Sequence, residues 1–421
     1  MEWALPVIAG TVLAFAAVSR RLDGTSITAP MVFTGAGLLF GNRAAGLVDL
    51  APTGETVKLL AEATLAVVLF SDAARIDLRA LREEYRLPAR LLGIGLPLTI
   101  AAGFGAALLL LGWAAWPEAL LLAVVLAPTD AALGQAVVTL PSLPSLVRQG
   151  LNVESGLNDG ICVPIFAVVL AIASTEAAIT GAHHALVLVV EEIGYGALVG
   201  AGAGAAAAAV VVVAGDRGLV QPLWQRVVPA AAAALAFAAA DAVGGSGFIA
   251  AFAGGVIFGT VVHRFGEQSG HVLEELGELL GAATFVVFGA VLLGPALGRA
   301  SWSVGAYAVV SLTLVRMLPV AIAMLGTDAR RPTLAFLGWF GPRGLASIVF
   351  AVLIVEESGV LPHESLVLTT VYVTIGLSVL VHGVSAAPVA RRYGSWWAGH
   401  APSDVESQSA HEVRWRTPVA P

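Results

Sequence analysis

Three acids stand inside apolar sequence. Asp130 closes the string Ala127-Pro128-Thr129-Asp130, and Glu154 and Asp159 end the string Glu154-Ser155-Gly156-Leu157-Asn158-Asp159. A carboxylate at the centre of a membrane helix costs about 2.5–3.5 kcal/mol on insertion scales, so three of them need a chemical reason. Pro128 interrupts its helix beside Asp130, and the freed carbonyls can join the carboxylate around a cation. Thr129 adds a hydroxyl or carbonyl oxygen. Ser155 precedes Asp159 by four residues, which puts both on one helix face. Asn158 is placed to orient Asp159 by hydrogen bonding. Hard cations such as sodium prefer oxygen ligands of this kind. Two carboxylates brought close together repel, which favours proton exchange at one of them. The expectation is a sodium and proton site at Asp130 and Asp159, with Thr129, Ser155 and Asn158 in support and Asp159 holding either cargo. The plainer alternatives are an interfacial helix cap for Asp130 and a polar helix contact for Asn158-Asp159.

Glu154 need not be a ligand. Arg316 lies within another apolar run, where an unpaired guanidinium is expensive, so a structural Glu154–Arg316 ion pair is expected. Arg343 either neutralises helix-end carbonyls or competes for Glu154. Asp72, beside Ser71, is either a cation-entry or ligand acid or an ordinary interfacial one, and Asp241 reads as interfacial. His183, His184, His263, His271 and His363 fall at loop edges and read as solvated; their spacing makes no metal site. Cys162 reads as a small packing residue.

These side chains need a scaffold, and composition names its class. The chain has 421 residues, 58% hydrophobic and 12% charged, with a mean hydropathy of +0.87. Such values describe an all-α, multi-span membrane protein. One cysteine excludes an intramolecular disulfide and a cysteine metal cluster. No Gly-rich loop ends in Gly-Lys-Ser/Thr, which argues against an ATP-driven pump. No basic patch suggests nucleic acid, and no cofactor is implied.

Thirteen apolar runs can each span as a helix. They are Trp3–Ser19, Ser26–Gly41, Val57–Asp72, Leu91–Gly112, Pro117–Leu140, Leu151–Ser174 and Leu186–Ala214. Then follow Val227–Val243, Gly247–His263, Leu276–Leu297, Ser301–Leu325, Pro332–Val355 and Glu364–Ala387. Connections after odd-numbered spans are basic: Arg20 and Arg21, five arginines between Arg75 and Arg90, Arg148, Arg217 and Arg226, Arg264, Arg330 and Arg331, Arg391 and Arg392. Connections after even-numbered spans hold only Arg43 and Arg299, with Lys58 just inside span three. Basic residues gather on the cytoplasmic side, so the amino terminus is expected outside and the carboxyl terminus inside an inner (plasma) membrane. Span one, with Glu2 before it and Arg20-Arg21 after it, reads as a retained helix rather than a signal peptide.

Residues 73–88 read as a short amphipathic cytoplasmic segment. Residues 1–390 form one transmembrane unit, and 391–421 read as a largely disordered cytoplasmic tail. Span five is interrupted at Pro128, and span twelve at Gly341-Pro342-Arg343-Gly344. Six-span halves on either side of span seven would have opposite topology, and paired interruptions point to an inverted repeat with the site at its centre.

With these motifs the sequence resembles the monovalent cation:proton antiporters, in the electroneutral NhaP-like sodium/proton exchanger branch. The resemblance rests on Ala127-Pro128-Thr129-Asp130, Glu154 to Asp159, Arg316 and Gly341-Pro342-Arg343-Gly344, and in span count covers almost the whole chain. It implies a homodimer whose dimerisation domain is interleaved with a mobile core of two crossed, broken helices. It also implies alternating access, with Asp159 and Asp130 binding the cation. Asn158, where electrogenic relatives carry a second aspartate, implies one proton per cation. One departure is Leu69-Phe70-Ser71-Asp72, where many relatives end the third span with Leu-Phe-Glu. The expected activity is exchange of sodium (or lithium) for protons, serving pH homeostasis. The alternatives are potassium/proton exchange, a passive cation channel and an intramembrane enzyme; neither the Asp-rich motifs nor the catalytic pair an enzyme requires is evident.

Overall fold

The computed structural model describes residues 3–22, 24–76, 86–112, 115–130, 133, 140, 142–174, 182–264, 271–327, 329–356 and 361–399. Their regular structure is helical apart from one β-bridge between Gly41 and Val48. The helices are α1 (Ala4–Leu22), α2 (Ala29–Phe40), α3 (Glu55–Ala74), α4 (Arg86–Leu111), α5 (Trp116–Val125), α6 (Ser145–Ala173) and α7 (Ala182–Ala209). They continue with α8 (Pro222–Ala242), α9 (Gly247–Arg264), α10 (Val272–Leu297), α11 (Trp302–Ala323), α12 (Arg331–Trp339), α13 (Leu345–Glu356) and α14 (Glu364–Ala398). Each of the thirteen expected runs meets helix, the twelfth as the pair α12 and α13. Eight helices are long and apolar enough to cross a membrane: α1, α4, α6, α7, α8, α10, α11 and α14.

Local chemistry sets many of the ends. Pro30, Pro117, Pro222 and Pro332 stand in the first turns of α2, α5, α8 and α12, where a missing N–H leaves no bond unmade. The α4 helix stops on Gly112, whose φ of 66° is left-handed. Pro128 and Pro342 disfavour helix at the residues before them, so α5 stops at Val125 and α12 at Trp339.

Small residues bring the helices into contact. A Cβ at Gly200 or Gly204 of α7 would run into the α9 backbone at Ala250 or Gly254. On the other side of α9, Gly255 and Gly259 lie against Phe70 and Ala74 of α3. The α2, α3, α8, α9 and α10 helices pack together, as do α4, α5, α6, α11, α12 and α14. The two groups meet where α3 and α9 touch α6 and where α2 and α10 touch α14, with α13 packed against α3. In their most apolar stretches 78% of α10 is buried but none of α1, so α10 is a central post and α1 turns its apolar surface outward.

The chain departs from expectation after Arg391. Instead of a disordered tail from that residue, α14 runs on to Ala398. Tyr393 is the reason: it is buried, its ring stacks on Phe336 of α12 at 4.3 Å, and its hydroxyl lies 2.9 Å from Thr333 Oγ1. Residues 400–421 lie outside the described residues, as does most of the expected amphipathic segment, 77–85.

Candidate functional site

The chain just past the end of α5 crosses the α12–α13 interruption. The Asp130 amide donates to Pro342 O at 2.8 Å. Asp130 Oδ2 accepts from the Leu345 amide at 2.9 Å, so its carboxylate caps the first turn of α13. In return Arg343, fully buried, donates through Nη1 to the carbonyls of Ala127 at 2.6 Å and Pro128 at 3.2 Å. Carbonyls orphaned past α5 thus gain a cation, and amides orphaned before α13 gain an anion. The two outer residues of Gly341-Pro342-Arg343-Gly344 supply room. A Cβ at Gly344 would overlap the Asp130 carboxylate, and one at Gly341 would overlap the Arg316 guanidinium.

The α6 helix lays its polar face against this crossing. Ser155 Oγ donates to Thr129 O at 2.6 Å, and Asn158 Nδ2 donates to Thr129 Oγ1 at 2.6 Å. Thr129 is therefore held through both its carbonyl and its hydroxyl. Asp159 is 7% exposed, and its Oδ1 is buried without a hydrogen-bond partner among the described residues. Asn158 Oδ1 is in the same condition. Two consecutive residues thus keep a buried acceptor oxygen that no donor among the described residues uses, which a polar interior tolerates only where something else can take it up. The like charges acting on Asp159 are Asp130 and Asp72.

Glu154, one turn before Asn158, faces elsewhere. Arg316 Nη1 and Nη2 donate to its two carboxylate oxygens at 2.5 and 2.8 Å, and both side chains are 3% exposed. This is a bidentate, fully enclosed pair. Arg343 goes to the helix-end carbonyls and not to Glu154. Asp72, at the end of α3, packs against Gly156, but its Oδ1 lies 3.5 Å from Arg75 Nη1. Arg75 also reaches Glu274 of α10 at 2.9 Å. The crossing therefore gathers Thr129, Asp130, Ser155, Asn158 and Asp159, with Asp72 at its edge.

Sequence reasoning missed two polar contacts. His382 of α14, 1% exposed, reaches Trp339 O at 3.0 Å and Ser378 Oγ at 3.2 Å. Its only sequence signal is an i, i+4 pairing with Ser378 in an apolar run. Glu118, 1% exposed at the start of α5, accepts from the His363 amide at 2.7 Å and lies 2.7 Å from its Nδ1. His363, half exposed, is thus tied to an acid rather than simply solvated.

A family profile described as "Sodium/hydrogen exchanger, transmembrane" matches residues 8–392. The chain belongs to the sodium/hydrogen exchanger family. This is a family of transporters, not of enzymes. Among its relatives, the "K(+)/H(+) antiporter NhaP2" of Shewanella oneidensis is 26% identical over 86% of this chain and 62% of that protein. The "Na(+)/H(+) antiporter NhaP" of Pseudomonas aeruginosa is 28% identical over 78% of this chain and 79% of that protein. This exchanger-family chain thus spans about three fifths of the length of the Shewanella relative. Its fold is similar to the solved sodium proton antiporter MjNhaP1 of Methanocaldococcus jannaschii, with a TM-score of 0.75 at 18% identity over 91% of this chain and 99% of that one.

Proposed function

We propose that this protein is a secondary antiporter that exchanges a monovalent cation for protons at Asp159. The observation that carries this reading is the buried Asp159 oxygen without a donor among the described residues, set beside the point where the chain past α5 crosses the α12–α13 interruption. A carboxylate in that position takes either a proton or a cation, and the two compete. Thr129, Ser155 and Asn158 furnish neutral oxygens beside it. Asp130, engaged in capping α13, contributes its negative charge and takes part in binding the cation.

The cation is sodium or lithium, and exchange is electroneutral because Asn158 leaves one freely exchanging acid on α6. The first alternative is potassium, favoured by the name that the Shewanella NhaP2 relative carries. Transport proceeds by alternating access across thirteen spans, with the core of crossed, broken helices moving against a dimerisation scaffold in a homodimer. The paired interruptions at Pro128 and Pro342 support an inverted repeat with the site at its centre. The amino terminus lies outside the plasma membrane and the carboxyl terminus in the cytoplasm, as the arginine distribution indicates. Asp72 lines the cytoplasmic approach.

The test is cation-driven proton movement in everted vesicles or proteoliposomes, adding Na⁺, Li⁺ or K⁺ in turn to wild type and Asp159→Asn. The expected result is proton movement with sodium or lithium that vanishes in the variant. Movement with potassium alone would replace the ion, and none with any cation would overturn antiport. Because proton and cation compete, the apparent cation KM is expected to fall as pH rises, until the site is mostly deprotonated.

A further inference from the structure

We propose that His382 and Ser378 of α14 form a positioning pair that clamps the α12–α13 interruption and so sets the geometry of the cation site. The inference rests on the antiport reading for its transport consequence and on geometry alone for the clamp.

The interruption leaves backbone groups that the helices cannot satisfy. Trp339 O stands at the end of α12, and the Arg343 amide lies past Pro342, which has no amide of its own. His382 Nε2 lies 3.0 Å from Trp339 O, and a carbonyl only accepts, so the proton sits on Nε2. In the neutral ring Nδ1 then accepts. It lies 3.2 Å from Ser378 Oγ, whose hydroxyl donates to it. That orientation frees a lone pair on Ser378 Oγ, which accepts the Arg343 amide at 2.7 Å. Nδ1 is also 3.1 Å from Ser378 O. The opposite tautomer would donate there, but would set the Nε2 lone pair against that of Trp339 O. With the ring neutral and its proton on Nε2, Trp339 O and the Arg343 amide are both served, and a single chain of bonds runs from Arg343 N–H through Ser378 and His382 to Trp339.

Its surroundings fit a clamp. His382, Ser378 and Arg343 are all buried. The charges acting on the imidazole are the Arg343 and Arg316 guanidiniums, and a neutral ring adds no third cation beside them. The Trp339 indole packs on His382 at 5.2 Å and donates through Nε1 to Ser385 Oγ at 3.0 Å, fixing the α12 end to α14 twice. Downstream, the Arg343 guanidinium holds Ala127 O and Pro128 O, immediately before Thr129 and Asp130. His382 touches no cation ligand, so its effect reaches the site only through Arg343 and the chain it grips.

The experiment compares wild type, His382→Leu and His382→Gln in full-length protein reconstituted in proteoliposomes. Glutamine can donate to Trp339 O and accept from Ser378; leucine does neither. His382→Leu is expected to raise the cation KM three- to tenfold while maximal turnover changes less than twofold, and His382→Gln to stay within twofold of wild type on both. An unchanged KM in His382→Leu, or equal impairment in both variants, would overturn the proposal. A second readout needs no transport: melting temperatures of His382→Leu, Ser378→Ala and the double variant. The clamp predicts that the double variant loses clearly less than the sum of the two single ones; additive losses would overturn it. If wild-type vesicles show no coupled proton movement, antiport fails and the melting cycle alone decides the clamp.

Discussion

Glu154 and Asp159 lie five residues apart on α6, yet the fold treats them in opposite ways. Glu154 is gripped by both terminal nitrogens of Arg316 in an enclosed pair. Asp159 keeps a buried oxygen that nothing among the described residues grips. A neutralised acid has no free-energy reason to pick up a cation or a proton; an acid buried without a counter-charge has every reason to take one or the other. Burial alone therefore does not mark the working carboxylate. What marks it is the lack of a permanent partner, so the two acids should separate cleanly under substitution.

The largest effect is expected at Asp159. Asp159→Asn should abolish cation-coupled proton flux, at least a hundredfold below wild type, while the melting temperature in detergent stays level or rises because an unpaired buried charge is gone. Next comes the ion pair. Glu154→Gln should destabilise by about 3–5 kcal/mol through the stranded Arg316, read as a lower melting temperature and a lower yield of folded protein. Replacing both partners, Glu154→Leu with Arg316→Met, should recover most of that loss, since apolar packing can stand in for a buried pair. If Asp159→Asn proved the destabilising variant and Glu154→Gln the stable inactive one, the contrast between the two acids would be reversed.

A smaller effect belongs to Thr129, whose hydroxyl accepts from Asn158. Thr129→Val removes one buried hydrogen bond, worth about 1 kcal/mol, and should raise the apparent cation KM several-fold with little loss of folded protein. The smallest is at Lys58, which pairs with Glu356 of α13 at 2.8 Å but is 36% exposed. Lys58→Met should shift the melting temperature barely, consistent with the zero to about 1 kcal/mol typical of exposed pairs.

Much of the site is legible in the amino-acid sequence, for physical reasons that differ by residue. Charges in apolar sequence must be answered, so Glu154 and Arg316, far apart in the chain, name each other as partners, and in the fold they meet. Pro128 and Pro342 interrupt helices wherever they stand, so both breaks are visible in the residue order. What a proline cannot say is that the two breaks face each other, with Asp130 capping α13 and Arg343 answering the α5 carbonyls. That pairing exists only in three dimensions. His382 is hidden for a related reason, because its partners are mostly backbone groups with no sequence signature. Glu118 looks like any acid at a helix start until His363, 245 positions away, closes on it. The α14 end escapes a local reading because Arg391 and Arg392 dominate the composition there, while the packing of Tyr393 on Phe336 is non-local.

The most direct test of the central claim is proton release from purified protein in weakly buffered detergent solution, followed with a pH indicator as NaCl or KCl is added. If cation and proton compete for the Asp159 carboxylate, the cation should drive protons into solution from wild type, saturably, and from Asp159→Asn not at all. No release from wild type, or equal release from the variant, would contradict the account.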